Sequence, residues 1–531
     1  EQAPNLVYVV EAEVRRFGAL YKSENGGMSF TKLNHNQNFF GYSTDGDDDR
    51  GQAPRDMAIA VNPRNAQEVH LGGILTWKSA NGGLSFECTS DWIPRQARDK
   101  NMGYCHADVD ILKFVGDTLY AGTDGGIFYA PHTAQVNAQY FRDITNGLGI
   151  RQFYKIGVAQ TKELVVSGGS QDNGTSVYTK EAGWLDWIGA DGMETFVSNQ
   201  DNAYLFGTSQ NGRPYFSADK GQSLYYLSLP GTRVGNWVTP FEQSPSGNTV
   251  YIAYEQVFES PAGFDFWESI SPVFPGKLHH LKIAPTNPQL MYAAHQRKLY
   301  KRTPGTYKWP LLVEFAGAIN AIAIHPLFEN TIAIATTDTG KVYISHDGGA
   351  NWQSFRKNLP DFSALTLVWD KDSLFSLYVG MNYGVYYIDT SEEMWLPFSN
   401  QLPNVIVNEL EINYQTNRIF AGTYGRGLWV SDLYKKVADT NLFVSPNKKE
   451  IQPYASFPNP FTQSFFIRAT DDNSMIERVE VFDAQGKLVL SSKGLNTSVF
   501  NVDASSFTPG IYFIKVGTSN GSVILKAVKN E

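Results

Sequence analysis

The sequence predicts an all-β chain: a β-propeller array of about ten four-stranded blades, followed by a small C-terminal β-sandwich. Three recurring patterns predict it. The first is an eight-residue frame, Ser-x-Asx-x-Gly-x-x-aromatic or apolar. It occurs at Ser345-His346-Asp347-Gly348-Gly349-Ala350-Asn351-Trp352, and again from Ser23 to Phe30, from Ser79 to Phe86 and, in a worn copy, from Ser217 to Leu224. Each copy follows an alternating apolar stretch, as a strand running into a tight turn with positive φ would. The third residues of the frame, Asn25, Asn81, Asp219 and Asp347, are placed to accept backbone N–H groups inside the turn and are read as structural.

The second pattern is a strand, an Asn/Pro turn and another strand. Examples run from Ala58 through Pro63 to Gly72, from Leu281 through Pro285 to Ala294, and from Ala321 through Pro326. The third closes such pairs with a small-residue tripeptide: Ala121-Gly122-Thr123, Phe206-Gly207-Thr208 and Ala421-Gly422-Thr423. Small residues there let backbones crowd together near an axis. Joined end to end, the patterns describe one blade of roughly 40 residues, and roughly ten such units fit between residues 1 and 436. The first, opening at Leu6-Val7-Tyr8-Val9-Val10, lacks an inner strand. Single propellers usually have about four to eight blades. Ten units therefore imply two propellers with the first incomplete, or one ten-bladed ring.

Composition supports this class and excludes others. Aromatic residues make up 14%, with 47 Gly and 25 Pro, as many short strands and tight turns require. A net charge of −9 argues against nucleic acid as a partner. No apolar run is long enough to span a membrane as a helix. No signal peptide opens the chain, so the start at Glu1 reads as a processed or truncated product. The only two cysteines, Cys88 and Cys105, are expected to form a disulfide in an oxidising compartment.

Residues 437–453 are polar and contain Lys448-Lys449-Glu450, which reads as a linker between the propeller region, 1–436, and a last domain, 454–531. That domain carries a hairpin from Val479 to Leu490 and two further strands, Pro509 to Val516 and Val523 to Val528, a spacing that suits a β-sandwich.

These motifs resemble known families. The eight-residue frame resembles the Asp-box (BNR) repeat of sialidase-type and sortilin-type β-propellers. The last domain resembles the C-terminal sorting domain of type IX secretion cargo, through Phe457-Pro458-Asn459-Pro460-Phe461, Phe482-Asp483-Ala484-Gln485-Gly486-Lys487, Pro509-Gly510-Ile511-Tyr512 and Lys526-Ala527-Val528-Lys529. The resemblance implies an immunoglobulin-like sandwich that is recognised by a type IX carrier and outer-membrane machinery. It also implies secretion or display on the outer surface of a Gram-negative bacterium. The repeat pattern further resembles tandem-propeller xyloglucanases, which use opposed aspartates in a cleft between propellers. A sialidase does not fit, because the Arg-Ile-Pro signature is absent and Trp92-Ile93-Pro94-Arg95 has its order wrong.

In a blade, the loops that lead into the inner strand and the turns between the second and third strands converge on one face. Here they carry His106, Asp108, Asp124, Gln171, Asp172, Asp191, Glu194, Tyr424 and Arg426, with Trp184, Trp187 and Tyr154 as aromatic platforms. Three readings compete. A polysaccharide hydrolase would draw its two carboxylates from Asp108, Asp172, Asp191 and Glu194. A non-catalytic surface would use His106, Asp124, Gln171, Trp184, Tyr424 and Arg426 to bind glycan or a surface protein. Plain turn chemistry would explain the Asp-Gly and Asn-Gly pairs with no ligand at all. The expectation is recognition, with glycan as the ligand and hydrolysis as the alternative. Asp45, Asp47 and Asp49 form a dense acidic run that could hold Ca²⁺, although it lacks the EF-hand frame. His106, His279 and His280 are too scattered for zinc.

Overall fold

The computed structural model describes residues 3–231, 234–261, 266–435, 454–469, 475–518 and 521–530. Every blade is an antiparallel meander. In the eighth, Ile319–Ile324, Ile332–Thr336, Val342–Ser345 and Gln353–Ser354 pair in that order, with Ile322 opposite Ile334 and Ala333 opposite Ile344. The second strand is buried along its whole length because neighbouring blades cover both of its faces. That is why Ile332-Ala333-Ile334-Ala335 is continuously apolar instead of alternating. The outer strand is two exposed residues, too short to template pairing with another chain.

Four-stranded sheets of this kind occupy 58–88, 109–143, 153–188, 192–226, 241–269, 280–314, 319–354 and 364–397, and three-stranded ones occupy 7–33 and 407–432. In the first blade the Ser23 turn follows Arg16–Ser23, the position of the third strand elsewhere, so the strand that is missing is the inner one.

Ring closure decides which blades belong together. The inner strand of the fourth blade, Phe153–Val158, packs on that of the tenth, Val407–Asn413. Asn408 donates to the Phe153 carbonyl at 2.9 Å, Asn413 donates to Ala159 O at 2.8 Å, and Lys155 pairs with Glu409. The fourth to tenth blades thus close a seven-bladed ring. The first three form an open arc before it, and a ten-bladed ring is not formed. Small residues sit where inner strands press closest: a Cβ on Gly422 would lie 2.9 Å from Ile156 Cγ2 across the closure.

Two devices repeat around the array. The frame turns share one hydrogen-bond scheme. Ser345 Oγ donates to Asp347 Oδ1 (2.8 Å) and accepts from Gly349 N–H (2.9 Å), while Asp347 Oδ1 accepts from Asn351 N–H (2.9 Å). Asn25, Asn81 and Asp219 repeat the acceptor role toward Ser29, Ser85 and Ser223. The Asn351 amides and the Ser345 hydroxyl hold the Asp347 carboxyl down to about 2. Gly348 and Gly349 have φ of 71° and 96°, the left-handed region that the Gly-Gly pair is there to supply. The second device is an indole that bonds the preceding blade. Nε1 of Trp267, Trp309 and Trp395 donates to the carbonyls of Ser228 (2.7 Å), Ile270 (3.1 Å) and Phe355 (2.7 Å), each just past the preceding outer strand.

The disulfide expected between Cys88 and Cys105 is absent; both are free thiols. Cys88 lies on the outer strand of the second blade with Sγ 3.2 Å from Ser90 O, whereas Cys105 is sealed in the core of the third blade with Leu119 and Phe128. Burial pushes the Cys88 thiol up to about 12 and Cys105 higher still. Spacing along the chain said nothing about which cores the two side chains enter.

The chain divides into two units, Glu1–Tyr434 and Lys435–Glu531. In the second, Tyr454–Phe457, Ser464–Ala469 and Val499–Asp503 make one sheet. Leu488–Thr497, Ile476–Asp483, Gly510–Thr518 and Gly521–Lys529 make the other, in that order. Phe465, Ile467, Val479, Val481, Val502, Ile514 and Val516 fill the space between them. The motif residues have structural work: Asn459 accepts from Val528 N–H at 2.9 Å and donates to Lys526 O at 2.8 Å, pinning the opening segment to the last strand. The linker expected at 437–453 lies outside the described residues.

Candidate functional site

One local irregularity aims side chains at the face where arc meets ring. The inner strands of the third, fourth, eighth, ninth and tenth blades each shift register near their start, skipping Asp110, Tyr154, Asn320, Leu365 and Asn408. A bulge at that point re-aims the skipped side chain. In the eighth and tenth blades it delivers an asparagine to the next inner strand, Asn320 to Ala364 O at 2.7 Å and Asn408 to Phe153 O. In the third and fourth it delivers Asp110 to Arg55 and Tyr154 to Gln171.

Around these lies a compact acidic group. Asp108 leads into the third blade, Asp124 turns between that blade's second and third strands, and Asp172 occupies the same turn one blade on. Their carboxylate oxygens lie within 4.8 Å of one another. Asp108 and Asp172 adopt φ of 64° and 55°, conformations that Asp tolerates better than most residues. Gln52 donates to Asp108 Oδ1 at 2.8 Å, and Arg55 bonds Asp124 at 3.1 Å. Asp191 accepts the Asp172 N–H at 2.7 Å and a second bond from Gln210. The His106 ring bridges the carbonyls of Ala107 and Asp172, both at 3.1 Å, and Asn173 reaches Asp124 O at 3.0 Å. The last two contacts join the arc to the ring.

Burial, with the neighbouring Asp108 and Asp124 charges, pushes the Asp56 carboxyl up to about 7. Burial and then Asp124 and Asp172 push Asp108 up to about 6. Asp124 and Asp172 are raised too, again chiefly by burial. Desolvation and like charge act in the same direction here.

The other expected residues divide. Gln171 and Tyr424 are beside the cluster: Tyr424 Oη donates to Gln171 Oε1 at 3.3 Å, and its ring lies 5.8 Å from that of Tyr154. Trp237 extends this group, its Nε1–H bonded to Tyr154 Oη at 3.0 Å. Glu194 is elsewhere. It sits on the inner strand Gly192–Val197, past the lead-in loop, and interacts with Lys155, Lys282, Glu242 and Glu409 along the ring's axis. Trp184 lies on the outer strand of the fourth blade, 5.3 Å from the Tyr178 ring, and Trp187 is buried in the core shared with the fifth blade. Arg426 is exposed and donates to its neighbour Gly425 O at 2.9 Å, without bonding the acidic group. Asp45, Asp47 and Asp49 are exposed and do not converge; Asp48 orders that loop by accepting from Ser43 and Arg50 N–H.

Gln52, Arg55, Asp56, Gln210 and Trp237 were not anticipated. Asp56 was within reach, since it leads into the second blade as Asp108 leads into the third.

The ring's axis holds a second set of charges. Glu194 and Glu411 are pushed up to about 8, burial outweighing the nearby lysines, and burial lowers His280 to about 3. A carboxyl raised in the fold stabilises it at low pH, and that contribution is lost as pH rises from about 4.5 through about 8. His280, kept neutral, opposes this only below about pH 6.5. Glu411→Gln is therefore expected to raise the melting midpoint at about pH 8.5, by an amount that shrinks as pH falls to about 6.5. A pH-independent difference in a thermal-unfolding series would count against the assignment.

In overall structure the chain is similar to the GH74 xyloglucanase from Xanthomonas campestris, with 14% identity and a TM-score of 0.56 over 81% of this chain and 66% of that one. At this identity the likeness is one of fold. Also similar are PorZ, a surface component of the type-IX secretion system of Porphyromonas gingivalis (13% identity, TM-score 0.47, 97% of this chain and 74% of that), and the GH74 enzyme of Niastella koreensis (13%, 0.33, 81% and 82%). By sequence, no curated protein matches the chain. No helix among the described residues is long and apolar enough to cross a membrane. A family profile described as a secretion system C-terminal sorting domain matches residues 455–530, the stretch that builds the two-sheet unit. The chain thus ends in a secretion-system sorting domain and is exported, to the cell surface or beyond it.

Proposed function

We propose that this exported protein recognises polysaccharide on the face where the arc meets the ring. The observation that carries the reading is the aromatic trio of Trp237, Tyr154 and Tyr424 beside the acidic group. Trp237 is 47% exposed yet held at its Nε1, so its ring is presented rigidly. Aromatic faces stack on the C–H faces of sugar rings, while Gln171, Gln210 and Asp191 supply hydrogen bonds for hydroxyls.

Hydrolysis is the second reading. It is favoured by Asp56 and Asp108, held near 7 and 6, and by the xyloglucanase whose fold this chain shares. The shared geometry of the four Ser-x-Asx turns supports kinship with Asp-box propellers of the sialidase and sortilin kinds. The sorting domain is read as the contact with the type IX carrier.

Affinity electrophoresis against a panel of plant and microbial polysaccharides, xyloglucan included, tests the proposal. Trp237→Ala is expected to weaken binding about five- to tenfold, roughly 1 kcal/mol. Absence of binding across the panel would sink the reading. Sugar release that disappears in Asp108→Asn would put hydrolysis in its place.

A further inference from the structure

The acidic group holds a carboxylate with one oxygen that the protein itself leaves unanswered. Asp56 is 2% exposed and its Oδ2 has no hydrogen-bond partner. Its other oxygen is only 3.4 Å from Arg55, and the carboxyl lies within hydrogen-bonding reach of Asp108, itself an acceptor. A buried, unpaired acceptor facing other acceptors is costly unless something positive sits between them. The charged groups that act on it are Asp108, Asp124 and Asp110, against the guanidinium of Arg55, while the His106 ring faces Asp124 and Asp172 further along the cluster.

We propose that Asp56, Asp108, Asp124 and Asp172 form a divalent-cation site of the calcium class. The donors are all carboxylate oxygens, with neither nitrogen nor sulfur, which selects a hard cation. Size then separates the candidates. Oxygens around Ca²⁺ at about 2.3–2.6 Å stand up to ~4.6–5.2 Å apart across the ion, whereas Mg²⁺ at about 2.0–2.1 Å demands ~4.0–4.2 Å. The Asp108, Asp124 and Asp172 oxygens, all within 4.8 Å of one another, fit inside the larger sphere, and calcium's flexible geometry accepts donors drawn from separate blades where magnesium demands a near-ideal octahedron. The ligands come from the second, third and fourth blades, so the ion bridges the open arc and the closed ring. It fixes the joint that His106 and Asn173 span with single hydrogen bonds. The site is independent of which polymer, if any, the neighbouring aromatics bind.

The test uses the full chain, stripped with EDTA and titrated with CaCl₂ and, separately, MgCl₂. It is read by calorimetry, by terbium luminescence and by thermal unfolding. Calcium is expected to bind at one site and to raise the melting midpoint by several degrees, and magnesium to do less. Asp124→Asn and Asp172→Asn each remove a like charge. In EDTA they should melt at or above the wild-type midpoint, and they should lose the calcium increment. Asp47→Asn, in the exposed acidic loop, should keep it. The proposal is overturned if calcium gives neither binding nor an increment. It is equally overturned if the increment survives in both cluster variants or vanishes in Asp47→Asn. Stabilisation by acidification alone, with no response to calcium, would mean that a proton shared between Asp56 and Asp108 fills the role.

Discussion

Without residues 454–531, the protein is expected to stay folded but no longer to reach the cell surface. The domain to be removed is a complete two-sheet sandwich with its own core, from Phe465 and Ile467 on one sheet to Val479, Val481, Ile514 and Val516 on the other. Its match to secretion-system sorting domains covers residues 455–530. The propeller unit, Glu1–Tyr434, closes its ring through Phe153–Val158 and Val407–Asn413, which the deletion leaves intact. Fractionation should find the truncated chain retained inside the cell envelope, with essentially all surface signal lost. Its thermal transition should match that of the propeller in the full chain. Surface display of the truncated form would refute the export assignment, and an unfolded product would refute the independence of the two units.

Trp395→Ala is expected to destabilise the propeller by about 3–5 kcal/mol, the range for emptying a buried large aromatic position. Trp395 is 1% exposed within a core that also holds Leu359, Trp369, Leu377 and Val379. Its indole donates to Phe355 O at 2.7 Å, and its backbone is clamped by Asn358, which accepts from the Trp395 N–H at 2.7 Å and donates to its carbonyl at 3.0 Å. Alanine therefore opens a cavity and takes the indole donor from the partly buried Phe355 carbonyl, two costs at one site. Trp395→Phe keeps most of the volume and loses the bond, so it should cost less, about 1–2 kcal/mol. Chemical denaturation measures both. A loss under about 1 kcal/mol for Trp395→Ala would show that the indole is not what fastens the ninth blade to the eighth.

What could be read in the residues is what short-range physics specifies. The Ser345–Asp347–Asn351 turn is self-contained, every bond spanning four residues or fewer, so its sequence frame announces it wherever it occurs. The sandwich was legible for a related reason, since Asn459 and the last strand sit in motifs that have to pair. The lead-in and turn positions selected Asp108, Asp124, Asp172 and Asp191, which the fold does bring together. Glu194 was misjudged by a short step: two residues past Gly192 the chain is already inner strand and its side chain joins the axial charges.

The number of blades in the ring was decided at long range. Lys155 meets Glu409 and Asn408 meets Phe153 across some 250 residues of intervening chain, and no local pattern encodes a pairing of that separation. The same holds for the thiols, since Cys88 and Cys105 went to different cores, and for Asp56, whose burial is set by Asp108 arriving from the next blade. Hydrogen bonds within a turn or hairpin are chosen by adjacent residues. Ring closure, burial and the balance of charge at the joint are sums over surfaces that exist only once every blade has been stacked.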